Sequence, residues 1–479
     1  MEARFLGSSQ PSRSHRDHLP SRFLMTRMRG TLMTQSGNLD STTPDTPLSA
    51  PRKAGSSPGE VRRVAVSAYL GNSIEFYDFL LYGSAAGVFF GPLFFPELDP
   101  ITGVIASMAT LGTGYLARPL GGLVLARVGD RHGRKRVLLA TIVMMGLASG
   151  LIGLLPTYDQ IGVAAPIMLV FLRLVQGFAA GGEWGGSSLM AAEHAPPGKR
   201  GLITAIGQAG LPTGGLLSAL MLAVVSLLPS EQLMSWGWRI PFLLSFGLLG
   251  LALYVRTRIS ESPLFEEQKA ATVQRVPLLH VLRRPVPLLR GVVATLPSSL
   301  PSTLFGSFAV AYAVGLGAER SHVLVALGFA WAGAVVTSPV YGWVSDRFGR
   351  RPLYLAATVG LAVCVYPLML GIGSGSTPLM GFSFFAAFTF FSQAASAPLA
   401  AMLSEMYPTS SRFTGMTIAY QGASVVTGFF PVLASGLLAA AGGGRNIGWV
   451  ALVVAAVAIL AGASVWFGRE SSGSDLRSV

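Results

Sequence analysis

Charge is what this sequence has least of. Only 12% of its 479 residues are Asp, Glu, Lys or Arg, half the share of a soluble domain, which points to lipid rather than water as the surrounding medium. Cysteine is almost missing: Cys364 stands alone, so an intrachain disulfide is excluded. The six histidines, His15, His18, His132, His194, His280 and His322, lie in tails, loops or the edges of apolar runs. They build no clustered metal or nucleophile motif, so neither a metal site nor a membrane enzyme is expected. The string GxxxxGK[ST] does not occur, which argues against ATP hydrolysis by this chain and leaves no cofactor to expect. The N-terminal region has no apolar core of a secretory signal.

What is present is apolar. Hydrophobic residues make up 51% of the chain, glycine contributes 58 residues, and the mean hydropathy is +0.55. The net charge of +13 does not indicate nucleic acid, because the cations sit in short loops and in the N-terminal tail. Twelve apolar runs follow one another at about 64–88, 102–126, 137–155, 165–190, 201–228, 239–256, 289–314, 322–343, 352–373, 378–402, 413–440 and 447–467. Most reach the roughly 20 residues a bilayer requires. Cations gather after the even-numbered runs, at Arg127–Arg136, Lys199–Arg200, Arg256–Arg290, Arg347–Arg351 and Arg412, whereas the connection after the first run, PELDP, is acidic. Both termini are therefore expected in the cytoplasm, with the chain multi-pass in the cell (inner) membrane.

One loop appears twice. Asp130-Arg131-x-Gly133-Arg134-Lys135 is matched by Asp346-Arg347-x-Gly349-Arg350-Arg351, with the aspartates 346 − 130 = 216 residues apart. A second pair, Glu193 with Arg200 and Glu405 with Arg412, recurs at 405 − 193 = 212. Two unrelated motifs repeating at nearly one offset indicate an internal duplication. The expected organisation is a disordered cytoplasmic tail at 1–62, a six-helix bundle at 63–256, a cytoplasmic linker at 257–288, a second six-helix bundle at 289–468 and a short tail at 469–479.

Twelve spans as six plus six, with DRxGR[KR] after spans two and eight, resemble the major facilitator superfamily. GNSIEFYDFLLYG at 71–83, ARPLGG at 117–122, RLVQGFAAGGEWGG at 173–186, WGWRIPFLLS at 236–245 and SESPLF at 260–265 narrow the resemblance to its metabolite:proton symporter branch. That branch carries organic acids or zwitterionic osmolytes. Two positions depart from its pattern: Ala126 replaces the usual glycine ahead of the first loop motif, and Phe76 replaces the tryptophan of EWYDF. The final tail is too short for a regulatory coiled coil, which weakens an osmosensing role.

Charges inside the spans carry the functional expectation, since each costs about 2.5–3.5 kcal/mol at helix centre and needs a partner or a wet cavity. The first half holds five: Glu75, Asp78, Arg118, Arg173 and Glu183. Glu75, Asp78 and Tyr82 share one face of the first span by their spacing. Two carboxylates this close in a low dielectric compete for charge, the condition in which one can hold a proton at neutral pH. Asp78 and Glu75 are thus the candidate proton carriers, with Asp78 expected to pair with Arg173 when the site is empty. Candidate substrate-binding residues are Arg173, Arg118, Tyr82, Gln176, Tyr420 and Gln421. Glu183 is expected near Arg118 as a gate ion pair. Gating is also assigned to Asp130, Arg131, Gly133, Arg134 and Lys135 and to Asp346, Arg347, Gly349 and Arg350, with Asp130 expected to cap the third span. The expected function is proton-coupled import of a small carboxylate-bearing metabolite by alternating access, by a chain that works as a monomer. A zwitterion such as proline or betaine is the alternative substrate; a drug antiporter and a channel fit less well.

Overall fold

A computed structural model describes residues 58–257 and 285–467, apart from 133, 197 and 409–411. Within the helices, side chains are described except at 126–127, 129–136, 138 and 255–257. The tails and the linker therefore fall largely outside the described residues. Among these, twelve long helices account for the twelve apolar runs. In the first half they are α1 (Pro58–Val88), α2 (Pro100–His132), α3 (Arg134–Leu154), α4 (Ala164–His194), α5 (Arg200–Val225) and α6 (Ser230–Tyr254). The second half begins with α7 (Pro285–Thr303), which runs on through a π turn at Leu304–Phe308 into Ala309–Gly315. Then come α8 (Arg320–Phe348), α9 (Arg350–Ile372), α10 (Thr377–Met406), α11 (Arg412–Ala440) and α12 (Gly448–Trp466).

Eight of these helices are long and apolar enough to cross a membrane by composition alone. The others show why composition undercounts. α1 and α2 carry Glu75, Asp78 and Arg118 within the span, and α7 carries Pro297, Pro301 and a run of hydroxyls. Helices also outrun their apolar cores. Residues 58–62, expected in the tail, form the first turn of α1, opened by Pro58 with Glu60 in its first turn, as a helix N-terminus favours.

The packing repeats between the halves. α1 lies on α5 as α7 lies on α11, α2 on α4 as α8 on α10, and α3 on α6 as α9 on α12. The halves then meet through α5 against α8 and α2 against α11. This is the packing a duplicated six-helix unit must adopt if its two copies face each other. Close crossings rest on glycine: a Cβ on Gly177 of α4 would collide with the Gly114 carbonyl of α2. Breaks inside the spans have local causes. α4 loosens at Gly181–Gly182, and Pro297 and Pro301 precede the π turn of α7, where backbone groups freed by proline are satisfied by local adjustment.

Candidate functional site

Asp78 sits about two-thirds of the way along α1 and is 2% exposed. It accepts a 2.6 Å hydrogen bond from the Ser245 hydroxyl of α6, with Ser149 of α3 beside it. Ser149 in turn accepts from Gln176 Nε2 at 2.6 Å, and Gln176 Oε1 accepts from Arg173 Nη1 at 2.9 Å. The expected direct pair between Asp78 and Arg173 is therefore not formed: Ser149 and Gln176 stand between them. The reason lies in the aromatic rings. The Arg173 guanidinium sits over Phe79 and over Tyr82, 4.2 Å from each ring centre. Each desolvated cation–π contact is worth about 2 kcal/mol. Together they match the insertion cost of the charge, so the arginine needs no carboxylate.

Arg118 of α2 uses the other side of the same platform. Its guanidinium lies 3.9 Å from the Phe79 ring centre and 4.8 Å from that of Tyr115. Its ion partner is Glu75, at 3.5 Å, and not Glu183 as expected. Glu75 stands one turn before Phe79, the ring over which Arg118 lies, whereas Glu183 opens the segment of α4 beyond the Gly181–Gly182 break. Glu183, 4% exposed, instead lines a cleft with Glu75 and Asp78. Both arginines keep donors unspent: Nε of Arg118 and Nε and Nη2 of Arg173 are buried without hydrogen-bond partners. Tyr82, the remaining first-half candidate, bonds Thr110 through its hydroxyl at 2.6 Å.

The second half brings neutral groups to this region. Tyr420 of α11 stacks on Trp184 of α4 with ring centres 3.7 Å apart and planes 6° apart, next to Arg118. Gln421 donates to the Gly181 carbonyl at 2.8 Å while its Oε1 stays unpartnered, as does the Ser302 hydroxyl of α7. Sequence reasoning missed Phe79, Ser149, Ser245 and Trp184. The two serines carry a faint signal as hydroxyls within apolar runs, and Trp184 lies in the glycine-rich string. Phe79 lies within the EFYDF string, which does not mark it as a platform.

The second copy of the loop motif forms a latch between the halves. Asp346 accepts the backbone N–H groups of Gly201 and Leu202, both at 2.8 Å, at the N-terminus of α5. Those donors have no partner within the helix and the dipole favours an anion there. Arg350 holds Asp346 at 2.6 Å and Glu405 at 3.3 Å, and Arg200 joins Glu405 at 3.6 Å. Arg347 is exposed beside Trp343 and Phe348. Gly349 takes φ +99°, a region closed to most side chains, and links α8 to α9. In the first copy Gly133 and the side chains of Asp130, Arg131, Arg134 and Lys135 lie outside the described residues. The backbone nevertheless puts Asp130 in the last turn of α2, so it does not precede α3 as a cap. At the opposite end, Ser84 donates to the Gly306 carbonyl at 3.0 Å, joining α1 to α7.

Two repeated six-helix units, with polar and charged side chains buried where they meet, define a membrane carrier. The model of the "Sugar (and other) transporter" family matches residues 64–275, and that of the "Major Facilitator Superfamily" matches 291–478. A shikimate transporter of Escherichia coli K12 is 38% identical over 79% of this chain and 88% of its own length. A proline/betaine transporter of the same organism is 31% identical over 88% and 85%. Among solved structures, a D-xylose-proton symporter has the same fold, with a TM-score of 0.67 at 18% identity over 86% of this chain and 99% of that one. The chain belongs to the major facilitator superfamily, among its metabolite transporters. It is a multi-pass membrane protein.

Proposed function

We propose that the protein imports a small carboxylate-bearing metabolite together with a proton, and that one chain suffices. One observation carries this reading: two buried guanidiniums share the Phe79 ring and keep donors free at the meeting of the two halves. Three unspent donor nitrogens on two planar forks suit a carboxylate, which offers up to four acceptor sites. Asp78 is the proton carrier, with Glu75 beside it. When Asp78 is ionised, its charge reaches Arg173 through Ser149 and Gln176 and weakens the arginine's pull on an anion. Protonation removes that competition, so substrate binds best to the protonated carrier and by linkage raises its proton affinity equally. The end of the bundle with both loop motifs faces the cytoplasm, and the Asp346 latch closes that end in one conformation and opens in another.

A relative named for shikimate, a carboxylate, favours the first reading. Relatives named for proline and betaine keep a zwitterion as the second, since such a molecule also presents a carboxylate. The test is Asp78→Asn in reconstituted vesicles. Accumulation driven by a pH difference is expected to vanish, while counterflow of substrate persists and no longer responds to pH. A variant that still accumulates substrate against its gradient removes Asp78 from the role and moves it to Glu75.

A further inference from the structure

The arginines account for one end of a substrate, and the second half holds groups that describe the other. Gln421 of α11 is 2% exposed. Its Nε2 donates to the Gly181 carbonyl at 2.8 Å, and its Oε1 has no partner. The donor end fixes the orientation of the amide, because a flipped amide would set two carbonyl oxygens against each other. What Gln421 still offers is therefore an acceptor, and it offers it beside Arg118. Gly181 packs so closely on α2 that a Cβ there would collide with the Arg118 carbonyl. Tyr420, the residue before Gln421, adjoins the Arg118 side chain. A buried acceptor left without a donor is costly, so a bound molecule that supplies the donor gains by it. Ser302 of α7 adds a second buried hydroxyl without a partner.

The same neighbourhood has little to hold a cation. Phe79, Tyr82 and Tyr115 each carry a guanidinium already, and Trp184 and Tyr420 lie face to face. Glu75 is paired with Arg118, and Asp78 is protonated in the state that binds substrate. A zwitterion whose carboxylate reached the arginines would bring its ammonium within a few atoms of two like charges. A quaternary ammonium needs an open aromatic face and has no N–H to give Gln421. A secondary ammonium has the N–H but meets the same repulsion. A hydroxyl donates to Gln421 and brings no charge. We infer that Gln421 selects the substrate by a hydroxyl: the molecule carried is a hydroxylated carboxylate, and zwitterions are turned away. The inference rests on the two arginines holding a carboxylate and on the proton residing at Asp78. It names the substrate class of that same site, since a site that hydrogen-bonds a substrate hydroxyl rejects the analogue lacking it.

The test is a binding panel on the purified protein in detergent, read by isothermal titration. Its four probes are shikimate, cyclohex-1-ene-1-carboxylate (the same ring without hydroxyls), proline and glycine betaine. The wild type should bind shikimate about fivefold more tightly than the bare ring acid, one neutral hydrogen bond's worth, and at least tenfold more tightly than either zwitterion. In Gln421→Leu shikimate should weaken about fivefold while the bare ring acid stays within about twofold, so the preference between them disappears. The lost bond to the Gly181 carbonyl acts on both ligands alike and cancels in that ratio. Gln421→Asn, which keeps an amide but draws it back by one methylene, should shift the ratio the same way if Gln421→Leu does not fold. Equal binding of the two ring acids by the wild type, a zwitterion bound as tightly as shikimate, or a preference untouched by both variants would overturn the inference. If both ring acids bind without preference, the carboxylate site stands and only the role of Gln421 falls. If neither ring acid binds, the carboxylate reading itself fails and the inference falls with it.

Discussion

The two halves share a packing plan but not a charge plan. α1 to α6 bury Glu75, Asp78, Arg118, Arg173 and Glu183 within their spans. α7 to α12 answer at corresponding depth with hydroxyls and amides, Ser298, Ser302, Thr389, Ser392, Gln393 and Gln421. The second half keeps its buried charges, Arg350, Glu405 and Arg412, at the loop-motif end. Duplication therefore supplied two copies of the loop motif, while among the described residues the ionisable groups of mid-span stayed on one side. A single set has a physical advantage. Every mid-membrane charge costs several kcal/mol, and one set of charges spares the second half that cost.

This comparison can be broken at four places. The largest effect is all-or-none. Cysteines placed at 347–351 or 127–136 of a Cys364→Ser protein should react with impermeant reagents only from the cytoplasm, and those at 96–100 only from outside. Opposite sidedness for the two motif loops would end the argument that the halves lie parallel in repeat order. Next comes Arg173→Lys, expected to weaken substrate binding about a hundredfold in counterflow assays. Charge-assisted hydrogen bonds contribute about 1.5–3 kcal/mol each, and an ammonium replaces neither the fork nor the stacking on Phe79 and Tyr82. Affinity kept within a few-fold would show that the guanidinium is structural.

The latch should matter less. Asp346→Asn keeps one acceptor for the α5 N-terminus but loses the charge, a loss of about 1.4 kcal/mol or tenfold in the equilibrium between conformations. Transport should slow by about that factor at unchanged affinity. Asp130→Asn should match it if the two latches are equivalent; an effect on Asp346 alone would make the gate as one-sided as the charges. The smallest effect belongs to the neutral half. Gln421→Ala and Ser302→Ala each remove about one ordinary hydrogen bond, near 1 kcal/mol, so affinity should fall about fivefold. A hundredfold loss at either would move the anion site toward the second half.

Sequence alone determined a great deal here. Runs of about 20 apolar residues fix the number of spans because lipid tolerates no unsatisfied backbone, and the two offsets of 216 and 212 reveal the repeat. It also named the residues that carry charge into the membrane, because any such residue stands out against an apolar run. Which of them meet was decided by tertiary structure. Spacing along α1 says that Glu75 and Asp78 are neighbours; it does not say that Glu75 turns to Arg118 on α2 while Asp78 turns to Ser245 on α6. The sequence likewise paired Arg173 with Asp78 but could not reveal the Ser149–Gln176 bridge between them. The Phe79 ring lies within the quoted EFYDF string, but nothing in the string says that it becomes the platform for two arginines from other helices. Helix register and length follow from local hydrogen bonding and transfer free energy, both readable residue by residue. Partners across helices depend on rotation and crossing angle, set by glycine contacts such as Gly114 on Gly177, and those exist only once the bundle has closed.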